Sequence, residues 1–415
     1  MPTLAAGRRR AAMPARAAGL ALALALALAG ACSRDVELVG GDGGRRSDAG
    51  GGDGGRMCSG LGPPLRVDAA GAAECGGAVA AASHRHALCS CAALTISATL
   101  QTRSFDSTGL TTGDQQTAAL GVNQALRVNA SLDVGGALVV ADAAGISASA
   151  ELETTESLRS GGPLTASASE VQVGGDAFVA GDVAGQVKVT GVLHVPTAAT
   201  VAAGVTSASV LREPVSVAAP CDCSAGAGID PVRVAAAASA ASGNDNASIG
   251  LDAGALVRSD EEQLELPCGR FHLTSIDLER EVELRVHGRT VLVVSGDVML
   301  REKLDVVLDA GAELDLVVAG TLRLSGGAHL GSLAAPARVR IWLGGTGTVV
   351  LDDHPTIGAV LHAPRATISA PAGFELHGSV LAGALSFGAG ATVRYDRSIL
   401  GGGVVCGVPA SAAVR

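Results

Sequence analysis

Aromatic side chains are nearly missing from this chain: 415 residues hold only Phe105, Phe178, Phe271, Trp342, Phe374, Phe387 and Tyr395. So few rings cannot form the stacked platforms that hold single-stranded nucleic acid. Lysine is scarce too, with Lys188 and Lys303 alone among 30 basic residues, a bias that reads as GC-rich coding. Positive charge is in deficit overall. Residues 1–31 carry Arg8, Arg9, Arg10 and Arg16 and no acid; without them 26 basic residues face 40 acidic ones, a net charge near −14. Such a surface repels a phosphate backbone and argues against nucleic acid as a partner. Apolar residues are not scarce, at 48%, so the chain has the means to fold. Its core has to come from Ala, Val, Leu and Ile, which suits thin, regularly repeated layers.

The first 32 residues are the most specific passage. A basic stretch precedes an uncharged Ala/Leu run from Ala17 to Ala31. Fifteen apolar residues give about 22 Å of helix, short of a hydrocarbon core of ~30 Å and right for a signal peptide. The run ends Leu28-Ala29-Gly30-Ala31-Cys32, which resembles the lipobox of bacterial lipoproteins. That resemblance implies cleavage before Cys32 and acylation of its thiol. With Ser33 following, it favours the outer membrane. Residues 32–56 are rich in Gly and Asp and read as a flexible tether.

Removing Cys32 leaves Cys58, Cys75, Cys89, Cys91, Cys221, Cys223, Cys268 and Cys406, an even number in an exported chain. Disulfides are expected, with pairing inside the sets 58/75/89/91 and 221/223/268/406. The rival is a metal site on Cys89-x-Cys91 and Cys221-x-Cys223, whose spacing is tighter than zinc sites usually show. No cofactor is expected.

The mature chain divides by pattern. Residues 57–94 contain cysteines and an Ala-rich helix near 69–88. Residues 95–219 alternate in short runs broken by Gly: LDVGGALVV (132–140), VQVGGDAFVA (171–180) and VKVTGVLHV (187–195). The stretch 191–211 lacks Asp, Glu, Lys and Arg, but Pro196 and Gly204 mark it as more short strands rather than a membrane span. Residues 220–262 bring a Cys-x-Cys turn and a helix at 231–243, opened by Pro231, expected to cap the unpaired strand edge of the second half. Residues 263–406 repeat most clearly. VLVVSGDVML, LDLVVAGTLRL, VRIWLGGTGTVVL, VLHAPRATIS and VLAGALSFGAG align at Gly296, Gly320, Gly345, Pro364 and Gly383, spaced 24, 25, 19 and 19 residues apart. Residues 407–415 form a tail. The expectation is an all-β chain: a right-handed parallel β-helix in two segments, with short helices near 69–88 and 231–243.

Residues 357–396 resemble a bacterial domain-of-unknown-function family found in exported, cell-surface and pilus-associated proteins. The shared pattern is Gly358 to Pro364, His377-Gly378-Ser379-Val380 and Arg394-Tyr395-Asp396. The resemblance covers about 265–400, and the earlier Gly-rich runs are similar to polymer-forming surface solenoids. It implies a right-handed β-helix and an exported location, and brings no catalytic residues.

Three constellations invite a chemical reading. Ser160-Gly161-Gly162-Pro163 with Ala82-Ser83-His84 is similar to chymotrypsin-like segments, but the residues before Ser160 do not fit and a Gly-Pro turn is expected. Asp352-Asp353-His354 offers two acids, which β-helix glycosidases hold ~5–9.5 Å apart. Pro355 makes a solvated turn the expectation. His329, His362 and His377 do not stack in the repeat frame and read as surface or corner residues. The function expected is a non-catalytic, lipid-anchored surface scaffold or adhesin-like module, held in the membrane and facing an envelope polysaccharide or protein. The alternative is a polysaccharide-active β-helix enzyme.

Overall fold

Triplets such as Leu126–Val128, Leu132–Val134 and Ile146–Ala148 set the architecture. In each, the outer residues are buried and the middle one faces out, because successive side chains on a strand alternate. A three-residue strand thus supplies two core residues and one surface residue, and the Gly, Ser or Asn that follows turns the corner. The computed structural model describes residues 65–67, 73–109, 118–223, 229–258 and 262–401. Cys32, Cys58, Cys406, the export signal and the tether lie outside them.

From Leu88 on, the strands form a parallel β-solenoid of about 13 turns, each turn laying one strand on each of three sheets; Arg66–Val67 and Ala73–Glu74 are a separate antiparallel pair. One core ladder runs its whole length. From one end it reads Phe271, Leu292, Leu316, Ile341, Leu361, Val380, Leu88, Leu120, Leu138, Leu158, Ala177, Leu193 and Val210. Aliphatic rungs fill a narrow core without rings.

That ladder also shows the chain order, in which the two expected segments are one stack. The last C-terminal coils, Phe374–Phe387 and Ala391–Asp396, pair with Leu88–Ser90 and Leu100–Phe105 of the first N-terminal coil. The chain enters mid-stack, coils outward to Arg212, returns, travels to the far end and coils back. In the second half, Gly296, Gly320 and Gly345 occupy successive corners. Trp342 opposite His362 then places Pro364 against Gly344, one residue from the glycine alignment.

Two helices lie on the outside of the first sheet. Helix α1, Gly76–Ser83, is shorter than the expected 69–88 and covers the strand Val339–Leu343. Helix α2, Pro231–Ala238, starts where the Asp230 side chain accepts from the Arg233 N–H and Pro231 needs no donor. It does not cap the edge. Its buried Pro231, Ala235 and Ala238 lie across three strands, Gly269–Leu273, Arg289–Val294 and Glu313–Val318. This cover explains why Val291, Val293 and Val317 are as dry as the core. Along Gly269–Leu273 and Ile276–Leu278 the edge is covered instead by residues 244–258. The Asn246 amide bonds both the N–H and C=O of His272 at 2.8 Å, as a neighbouring strand would. Asp245 does the same for Arg270, and Leu256 bonds Asp277 N–H.

Candidate functional site

Outward residues of the first sheet make a second ladder: His272, Val293, Val317, Trp342, His362, Leu381, Cys89, Gly121, Val139, Arg159, Phe178, His194 and Leu211. Most of it is covered, and its middle is where the chemistry-bearing side chains gather.

Cys89, on the strand Leu88–Ser90, and Cys91, one residue past its end, both reach the returning segment. They meet Cys221 and Cys223, which share that spacing, as two disulfides: Cys89–Cys221 and Cys91–Cys223. The pairs therefore run between the two expected sets and not within them, because the returning segment 213–223 comes back to the coil it left. Eight residue steps lead from Glu213, which accepts from His194 at 2.6 Å, to Cys221. At ~3.3 Å per residue they span about 26 Å, the height of five strand spacings of ~4.8 Å, so this segment is an extended strap. The Asn123 amide fixes its end, bonding both the C=O and N–H of Cys221 at 2.9 Å. Two Cys-x-Cys pairs joined as disulfides leave no thiolate set for a metal. Cys75 is disulfide-bonded as well, and Cys268 is half-buried where the C-terminal coils begin.

Beside the disulfides, α1 and the turn after it close over a buried polar cluster. Ser379 Oγ donates to His86 C=O at 2.7 Å, so it accepts from His84 Nδ1 at 3.0 Å. His84 Nε2 is then the bare nitrogen, and His362 Nδ1 donates to it at 3.2 Å. Burial holds His84 well below its ordinary value, with His362 adding to the effect. Burial also lowers His362 to about 4, against the pull of Asp222, and lowers His86 to about 4 with Arg85 contributing. Trp342 packs on His362 with ring centres 5.0 Å apart, and its Nε1 donates to Asp315 at 2.9 Å. Arg340 donates to Asp315 at 2.7 and 3.0 Å and to Glu313 at 2.7 Å. Burial works against this guanidinium, but Asp315 and Glu313 outweigh it and keep it charged. Tyr395 donates to His84 C=O at 2.9 Å, and burial followed by Asp396 pushes its phenol up. A side chain on Gly76 would collide with Asp315, so glycine lets α1 sit this close. His84, His362, Asp315, Arg340 and Trp342 are buried, and the cluster joins parts of the chain far apart in sequence.

His362 and His329 are buried rather than surface residues; only His377 of the three is half-exposed. His84 faces Ser379, not Ser160, whose Oγ donates to Gly162 C=O inside a turn. Asp352-Asp353-His354 is an exposed turn, with Asp353 and His354 both in the left-handed region at φ 61° and 55°. Asp352 accepts from Arg323 at 3.1 Å, and Asp353 accepts from Gly326 N–H at 3.1 Å. Both acids are thus tied to the coil below.

The second and third sheets are uncovered. Thr95, Arg127, Ser147 and Thr165 line one; Arg394, Arg103, Asp133, Glu153, Gln172 and Lys188 line the other. Acids here answer arginines: Asp133 with Arg103, Glu375 with Arg394, Glu283 with Arg285. Two open clefts, about 350 and 470 Å³, are lined by Ser83, Arg85 and Asp222 and by Ser167, Ser169 and Glu170, with no ring in either.

Residues 224–401 match a domain of unknown function, DUF7305. That span takes in α2, the covered edge and all the C-terminal coils. No curated protein matches the chain. Among solved structures it is similar to an ice binding protein from an Antarctic bacterium, Flavobacteriaceae. Identity is 13% and the TM-score 0.21, over 77% of this chain and 98% of that one. Among the described residues, no helix is long and apolar enough to cross a membrane. The paired cysteines agree with an oxidising, extracellular or periplasmic setting.

Proposed function

We propose that this protein is a non-catalytic scaffold of the bacterial cell envelope, held to the outer membrane by lipid on Cys32, its β-solenoid serving as a display surface. One observation carries the reading. The two uncovered sheets present a regular array of Thr, Ser, Arg, Asp and Glu in which acids are matched to arginines. A polysaccharide-cleaving site needs two acids free to act across a glycosidic bond, and sugar subsites favour rings. A flat array of alternating charge instead suits an envelope polysaccharide or a protein partner met over many coils.

Two measurements test this. Intact mass of the membrane fraction should show a chain that begins at an acylated Cys32, and Cys32→Ser should leave the membrane. An unmodified amino terminus near Cys32 removes the anchor from the proposal. For catalysis, Asp352→Asn, Asp353→Asn and His354→Asn are combined, since Asn tolerates positive φ. Envelope-polysaccharide binding should survive the triple change, and neither protein should cleave a broad glycan panel. Cleavage lost in the triple variant would establish the enzyme instead.

A further inference from the structure

The strap that returns the chain is anchored at both ends and bonded nowhere between. At one end Glu213 N–H donates to Val195 C=O, and the Glu213 carboxylate accepts from His194. At the other, Asn123 and the disulfide to Cys89 hold Cys221. From Pro214 to Pro220, no main-chain N–H or C=O meets a partner among the described residues. Exposure alternates along this stretch as it does on a strand: Pro214, Ser216 and Ala218 face solvent, while Val215 and Val217 are half-buried. The turns of the coils are built differently. They are short, and their N–H groups bond the coil beside them, as Ala141 bonds Val122, Gly161 bonds Val140 and Ala180 bonds Ser160.

We propose that the strap is a processing site, hydrolysed at Ala218–Ala219 by an endopeptidase that takes small side chains. Such enzymes bind substrate as an extended strand and pair with its main chain, as a sheet edge does with an added peptide. The strap already has that shape and those free groups, so cleavage needs no local unfolding; at a coil turn the bonds to neighbouring coils must open first. The residues choose the bond. Proline just after a scissile bond lacks the N–H and holds a fixed φ, which removes Glu213–Pro214 and Ala219–Pro220. The side chain just before the cut has to enter the enzyme's pocket, and Val215 and Val217 face the sheet. Ser216 and Ala218 are the small exposed residues left. Ser216 is followed by half-buried Val217, whereas Ala218 is followed by exposed Ala219. Water adds across that peptide bond: C–N breaks, Ala218 keeps a carboxylate, and Ala219 becomes a new amino terminus. Cys89 and Cys91 lie on one product and Cys221 and Cys223 on the other, so both disulfides bridge the cut. The strands Leu88–Ser90 and Leu100–Phe105 keep their partners Phe374–Phe387 and Ala391–Asp396 across it. The product is a two-chain protein with its stack intact.

The test treats the full chain, folded and oxidised, with an elastase-type serine endopeptidase as probe. The first cut should fall at Ala218–Ala219. Without reductant, intact mass should show one species, the parent plus one water; with reductant, it should show two fragments. The circular dichroism spectrum should not change across the cut. Ala219→Pro should lose that cut and fold as the parent does, because the Ala219 N–H bonds nothing and the strap is already extended. In protein purified from the cell envelope, reduction should release a fragment ending at Ala218, and the Ala219→Pro form should release none. A first cut at another bond overturns the proposal. So do fragments that part without reductant, or envelope protein whose strap is whole.

Discussion

Three neutral imidazoles under α1 make the fold sensitive to acid. His86 and His362 titrate near 4 when folded, and His84 lies well below its ordinary value, against about 6.5 in an unfolded chain. Between those values the unfolded chain binds more protons than the folded one. Their contribution to stability is therefore complete above pH 6.5 and lost as pH falls through the window down to about 4. The thermal midpoint should drop across that window. His362→Gln, whose amide can still donate to His84, should flatten the dependence; equal midpoints at pH 7 and 4.5 in the parent would refute this account.

At the scale of strands and straps, the paired disulfides act as one closure. Each joins residues 132 apart, and chain entropy alone gives such a loop about 5 kcal/mol. With one bridge intact the second closes only a few residues, worth on the order of 2 kcal/mol. Cys91→Ser with Cys223→Ser should thus cost little in chemical denaturation, and removing all four thiols much more than twice that. Equal, additive losses would mean the bridges act separately. Much at this scale is legible in sequence. Leu-x-Val triplets give strands, the Gly corners give the repeat, and Asp230-Pro231 gives a helix start. Partnership is not legible, because one Leu-x-Ser triplet stacks on another with similar comfort. Nothing near Leu88 says that Val380 lies against it, nor that Cys89 waits for Cys221. The buried cluster hides for the same reason: His84 meets Ser379 and His362, each far along the chain. Its one early sign is that the sole Trp and sole Tyr of a ring-poor chain fall in the coils that α1 covers.

Across the whole molecule, the core is a single column, and a fault at one rung is shared by its neighbours. Val318 is fully buried between Val294 and Leu343. Val318→Asp would place an unpaired carboxylate there, and the C-terminal coils should fail to fold, read as loss of the cooperative transition and rapid proteolysis. A protease-resistant variant with a normal transition would show that the column tolerates breaks. The permuted chain order has a consequence for biogenesis. A chain threaded across a membrane from its amino end delivers residues 88–212 first, with the edge of Leu88–Ser90 bare until Phe374–Phe387 emerges. The stack therefore cannot grow as a simple zipper behind the exit pore. Its middle joint is made last, by the strands that arrive last, and contacts so distant in sequence form slowly. During that interval the half-built coils expose an inner edge that a passing chain could occupy, so for any chain delivered from its amino end, the speed of delivery and the folding yield are coupled through this one joint.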